Sequence, residues 1–122
     1  MTADPPTPAD DCRLDWGVLD SLAHDMDDDT IADELVTIYL GELPARRQAL
    51  GAALDADDAD AMRAAAHALR AASATVGAVG LAELCRAIES AAAQQDTAAA
   101  AEQIQRALDA CTTIDALLRQ GR

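Results

Sequence analysis

One histidine sits where a helix would hold it in the open. Advancing about 100° per residue from Leu69 puts Met62, Ala65, Ala66, Ser73 and Val76 within roughly 60° of it, a single stripe suited to a core. On the same wheel His67 falls at roughly 160°, almost opposite. Ala64, Ala71 and Ala74 share that outer side and are all small. Arg63 and Arg70 lie to one flank, at roughly 100–120°, within one turn of the imidazole.

Phosphoryl acceptance is the chemistry that suits these groups. An unperturbed imidazole has a pKa of ~6.5, so an exposed ring is mostly neutral and nucleophilic near pH 7. A phosphoryl group in transfer spreads negative charge over three oxygens, which a guanidinium fork can approach. Small neighbours would admit another protein's active site. By spacing alone, the same pattern also fits an ordinary surface histidine on an Ala-rich helix.

The elements that must carry these residues read as helices with short punctuation. Asp15 is a plausible N-cap for a helix over 16–26 bearing Trp16, Leu19 and Leu22. Asp27-Asp28-Asp29-Thr30 caps a longer helix over 30–54, along which Ile31, Leu35, Ile38, Tyr39, Leu43, Leu50 and Leu54 recur at helical spacing. Pro44 lies inside that run and should bend or divide it. The histidine helix follows over 58–75, and Gly77 and Gly80 bracket a tight turn. Two further helices, 80–94 and 97–119, carry Leu81, Leu84, Cys85 and Ile88, then Ile104, Leu108, Cys111, Ile114 and Leu118. Long amphipathic helices joined by a few residues predict an all-α fold, an antiparallel four-helix bundle with a short additional N-terminal helix over one end. The Pro- and Asp-rich residues 1–14 read as a disordered tail, and 15–122 as the folded domain.

Composition narrows the function. The 122 residues include 31 Ala, which favours helix, and few aromatic or β-branched residues, which disfavours a sheet. The net charge is −13, and all nine basic residues are Arg. Such a chain is a poor partner for nucleic acid or an anionic membrane. Residues 16–60 hold twelve acidic against two basic side chains, whereas 61–122 hold six of each, so the histidine helix lies in the balanced half. Three cysteines without a C-x-x-C pair suggest reduced thiols, and no apolar run or leader-like segment is present, so a cytoplasmic protein is expected.

Other chemistries fare worse. His24 follows Asp20 by one turn, but nothing nearby completes a metal site. Asp27–Asp29 lack the glycine and closing glutamate of a calcium loop. Neither histidine has a glutamate three residues before it, as a carboxylate-bridged metal bundle needs. Cys85 and Cys111 fall on apolar stripes and read as core. No phosphate-cradling Gly loop suggests an ATP site.

The block Ala66-His67-Ala68-Leu69-Arg70-Ala71-Ala72-Ser73-Ala74-Thr75-Val76-Gly77-Ala78 resembles the motif of histidine-containing phosphotransfer (HPt) domains, roughly A-H-x-L-K-G-x-S-x-x-x-G-A. Leu81-Ala82-Glu83-Leu84-Cys85-Arg86-Ala87-Ile88-Glu89 is similar to that family's next helix, and Tyr39-Leu40-Gly41-Glu42-Leu43-Pro44, with Leu50 and Ala53-Leu54, to its preceding one. The resemblance spans about residues 14–118. It implies that His67 is phosphorylated on Nε2, that Arg70 stabilises the phosphoryl charge, and that Glu89 orients the ring through its other nitrogen. It implies docking of receiver domains, or of a hybrid histidine kinase, on Arg63, Ala64, Ala71 and Ala74 and the adjoining surface of the first two helices. The interface would be small and transient, formed by a monomer. No intrinsic cofactor or kinase module is expected; Mg²⁺ would come with the partner receiver. Arg70 and Ala71 depart from the family's Lys and Gly, exchanging a compact ammonium for a planar fork and adding one methyl. A helical adaptor that binds a receiver or kinase without accepting phosphate is the alternative from a different class.

Overall fold

The structure, a computed structural model, describes residues 8–121. Among them all regular secondary structure is helical: α1 (Pro8–Asp11), α2 (Trp16–Met26), α3 (Ile31–Ala56), α4 (Ala59–Thr75), α5 (Val79–Ala93) and α6 (Thr97–Gln120). The start signal Asp15 acts where the sequence places it, and two more aspartates act in the same way. Asp15, Asp58 and Asp96 each accept hydrogen bonds from the backbone N–H groups that open the helix behind them, at 2.9 to 3.2 Å. The opening of α3 falls within the expected Asp27–Thr30 run. Thr30 makes no side-chain cap bond; instead Asp28 accepts from the Thr30 N–H and hydroxyl, turning the chain into the helix.

The single helix expected through Pro44 is present, and α3 runs unbroken past that residue, whereas one expectation about the next turn needs correction. A proline inside a helix costs about 3 kcal/mol, but Tyr39, Leu43, Leu50 and Ala53 bury one side of α3 and hold the helix together. Gly80 does not bracket a turn; it lies in the first turn of α5. The turn itself is made at Gly77, whose φ of +80° is one that side-chain-bearing residues rarely adopt.

The tail expected over residues 1–14 is too long at its C-terminal end. Residues 1–7 lie outside the described residues, but 8–14 are folded, with α1 against α5 and α6. The reason is tertiary. Asp11 is buried and accepts a two-pronged bond from Arg106 of α6, Nη2 to Oδ1 at 2.6 Å and Nε to Oδ2 at 3.0 Å. The arm then crosses the α4–α5 turn, donating from Asp15 N–H to the Gly77 carbonyl and accepting at the Arg13 carbonyl from Gly80 N–H. A Cβ on Gly80 would stand 1.9 Å from the Asp10 carbonyl oxygen, so only glycine admits the arm.

The core lies between α3, α4, α5 and α6, with α4 packed on α3 and α5, and α6 on α5 and α3. Leu50, Met62, Leu69, Leu81, Ile88, Ile104 and Ile114 are fully enclosed. Each such side chain contributes roughly 1.5–3 kcal/mol by leaving water. Ala66, Ala78, Ala100 and Ala107 are also completely buried. Their small size lets helix axes approach closely. One polar link crosses this core: the Tyr39 hydroxyl and Ser73 Oγ, 2.9 Å apart, join α3 to α4.

Candidate functional site

The α4 stripe faces inward as its periodicity requires, with Met62, Ala66, Leu69, Ser73 and Val76 buried. His67 therefore points away from the core, and its side chain is 65% exposed. Arg63, Ala64, Ala71 and Ala74 are exposed on the same helix. Beside them runs a shallow groove between α3 and α4, lined in part by Ile38, Ala68, Ala71 and Thr75. Ile38 is one of the few large apolar side chains left in water.

Glu89 reaches this face from α5. Its Oε1 lies 2.8 Å from His67 Nδ1, and its Oε2 accepts from Arg70 Nε in a very short ion pair. Arg70 Nη2 stands 3.5 Å from Oε1 and 3.2 Å from Nδ1, so the guanidinium straddles the carboxylate and the ring. The carboxylate is the least exposed of the three groups, at 17%, against 31% for Arg70. His67, Arg70 and Glu89, separated by 3 and 19 positions, form one cluster across two helices.

The electrostatics follow from those contacts. Burial opposes ionisation of Glu89, but hydrogen bonds from Arg70 and His67 outweigh it and hold its pKa below the usual carboxylate value. Hydrogen bonding to Glu89 in turn raises the pKa of Arg70. An ionised carboxylate can only accept. The 2.8 Å contact is thus satisfied by the tautomer carrying its proton on Nδ1, in which Arg70 Nη2, itself a donor, makes no hydrogen bond to that nitrogen across their 3.2 Å separation. That tautomer leaves the lone pair on Nε2, which takes part in no hydrogen bond among the described residues. An accessible neutral nitrogen with an anchored ring can act as a nucleophile toward an electrophile brought by a partner.

Elsewhere the residues weighed from sequence are plain. His24 is exposed near the end of α2. Cys85 and Cys111 are buried, and burial pushes both thiols up, that of Cys111 to about 11. Among the described residues no group of three or more His, Cys, Asp and Glu side chains could hold a metal ion, and no helix is long and apolar enough to cross a membrane. What sequence reasoning missed at the site is the Arg70–Glu89 pair. Their opposite charges on adjacent helices were the available signal, but the register between the helices depends on the turn at Gly77.

Comparison with known proteins places the fold in a family. The family model described as the Hpt domain matches residues 34–120. The crystal structure of histidine-containing phosphotransfer protein B from Pseudomonas aeruginosa PAO1 is similar, with a TM-score of 0.77 and 32% identity over 88% of this chain and 91% of that one. Comparison with curated proteins gives no match. Members of the Hpt family are phosphotransfer carriers rather than kinases, and they interact with receiver and kinase partners of two-component systems. The chain belongs to the Hpt domain family, with a phosphotransfer role in two-component signalling.

Proposed function

We propose that this protein is a phosphorelay intermediate in which His67 takes a phosphoryl group from an aspartyl phosphate on one receiver domain and passes it to an aspartate on another. The observation that carries this reading is the exposed ring anchored at Nδ1 by Glu89, with Nε2 left as the nucleophile. Nε2 attacks phosphorus, the bond from phosphorus to the aspartyl oxygen breaks, and the carboxylate departs with the electron pair. Arg70, one turn away, supplies positive charge near the incoming phosphoryl oxygens. The receiver's own acidic residues would hold Mg²⁺, which would supply positive charge to the phosphoryl oxygens there.

Receiver docking uses the exposed face bearing Arg63, Ala64, Ala71 and Ala74, extended by the α3–α4 groove with Ile38. We read α3 to α6 as an antiparallel four-helix bundle whose rigidity fixes this face, with α2 over one end. The cytoplasm is where such partners are found. Incubation with a phosphorylated receiver should label the wild type with an acid-labile, base-stable phosphate. His67→Gln should stay unlabelled; labelling at the wild-type rate would sink the assignment. Stable binding of a receiver with no labelled species would favour the non-phosphorylated adaptor instead.

A further inference from the structure

We propose that the cleft between α3 and α6 is a binding site for a small carboxylate with an apolar body, held by the Arg47 guanidinium. The site lies away from the histidine cluster, and the proposal does not depend on phosphotransfer.

The cleft is formed where the two helices pack side by side. Leu43 and Pro44 of α3 and Cys111 of α6 make its apolar part, and it encloses about 320 Å³. Sites for small ligands begin near that size and are mostly apolar, with a few placed polar groups. Leu43 and Cys111 are buried and form the floor, whereas Pro44 is exposed and its ring makes a stiff wall at the rim. Thr112 offers a hydroxyl, and Arg47, Asp115 and Arg119 carry the charge.

Those charges are not equivalent. Asp115 accepts from Arg119 Nε at 3.0 Å, so the two compensate each other. Arg13, Arg46, Arg70 and Arg106 likewise each face a carboxylate. Arg47 does not. Its Nε donates to the Leu108 carbonyl at 3.2 Å, and it forms no ion pair among the described residues. The carbonyl anchors one edge of the guanidinium and leaves the two Nη groups for another acceptor. Burial raises the pKa of the Cys111 thiol and the Arg47 charge works against that rise, so the guanidinium stands near the apolar floor.

An anchored, uncompensated guanidinium beside an apolar floor complements one anionic group joined to an apolar one. The planar fork matches a carboxylate through two parallel hydrogen bonds. A free phosphate would have no apolar part to cover Leu43, Pro44 and Cys111. Arg47 follows Ile38 by nine residues, about 180° around the helix, so the cleft opens on the side of α3 turned away from the α3–α4 groove. A ligand held here would leave the face bearing His67 uncovered.

The test titrates the full chain, labelled with nitrogen-15, with octanoate and follows the backbone amide shifts. Octanoate should give saturable shifts centred on Leu43, Arg47, Cys111 and Thr112, while Ala68 and Ala71 stay still. Replacing octanoate by 1-octanol, which keeps the apolar body without the charge, should weaken binding about fivefold, the upper end of what an exposed charge pair contributes. Arg47→Met, which removes the charge from the protein instead, should weaken octanoate binding by about the same factor. Arg47→Lys should retain part of the affinity, because it keeps the charge and loses the fork. Equal affinity of the wild type for octanoate and 1-octanol would overturn the proposal by reducing the cleft to an apolar surface. Unchanged affinity in Arg47→Met, with its fold checked by circular dichroism, would overturn it too. Shifts that never saturate, or that centre on the His67 face, would do the same. The comparison of octanoate with 1-octanol needs only the wild type, so it decides the matter even if the Arg47 variants fail to fold.

Discussion

The ion pair between Asp11 and Arg106 gives the sharpest test of the folded N-terminal arm. Its two oxygens meet two guanidinium nitrogens at 2.6 and 3.0 Å, with the Asp11 side chain 5% exposed and Arg106 31% exposed. The burial is unequal, so the two truncations should be unequal as well. Asp11→Ala leaves a guanidinium that regains water over about a third of its surface, so the loss is near that of a charge-assisted hydrogen bond, about 2 kcal/mol. Arg106→Ala leaves an enclosed carboxylate without its partner, nearer the cost of breaking a buried pair, about 3 kcal/mol. For a chain of this length, each kcal/mol lowers Tm by roughly 4 °C. Thermal melts followed by circular dichroism should therefore show losses of roughly 8 °C and 12 °C. The double variant should be more stable than additivity predicts, because neither charge is then stranded. A shift under about 1 °C for Asp11→Ala would refute the reasoning. It would mean that residues 8–14 do not dock in solution.

Three other expectations are independent of that pair. Tyr39→Phe should cost about 1 kcal/mol in chemical denaturation, because Ser73 Oγ loses its partner inside the core; an unchanged midpoint would mean that another acceptor already serves Ser73. Gly80→Ala drives a Cβ against the Asp10 carbonyl, and the overpacking should cost about 1–3 kcal/mol while speeding amide exchange through 10–15. Burial raises the pKa of the Cys111 thiol from 9.0 to about 11, so its contribution to stability is constant below pH 9 and declines as pH rises from there. Denaturation midpoints should fall across that window, and Cys111→Ala should lessen the fall without removing it, because the buried Cys85 thiol is raised as well; an equal slope in the variant would assign the alkaline loss wholly to other groups.

Much of this molecule was legible because helix formation is a local matter. The cap Asp15 and the inward stripe of α4 are set by residues a few positions apart, and they stand where spacing puts them. The arm escaped for the opposite reason. Four residues of helix have no stability of their own, and α1 is held by Arg106, 95 positions away. Gly80 carried the only local trace of it, and a glycine near a turn has a simpler explanation. The apolar spacing across Pro44 was also a sound guide, because burial of one face of α3 overrides the local penalty. At the site, the wheel could put His67 on the outside, but not bring Glu89 of the next helix within 2.8 Å of it. That distance is fixed by the Gly77 turn and by the packing of α4 on α5.

The hydrogen bond from Asp15 N–H to the Gly77 carbonyl, at 2.7 Å, also gives the molecule an internal reporter. An amide exchanges with solvent only when the structure around it opens. Asp15 N–H is bonded to the turn that ends the histidine helix, so its exchange rate registers openings ten residues from His67 in sequence without any probe being placed on the docking face. A partner that merely covers that face would leave the rate unchanged, whereas one that loosens the end of α4 would raise it.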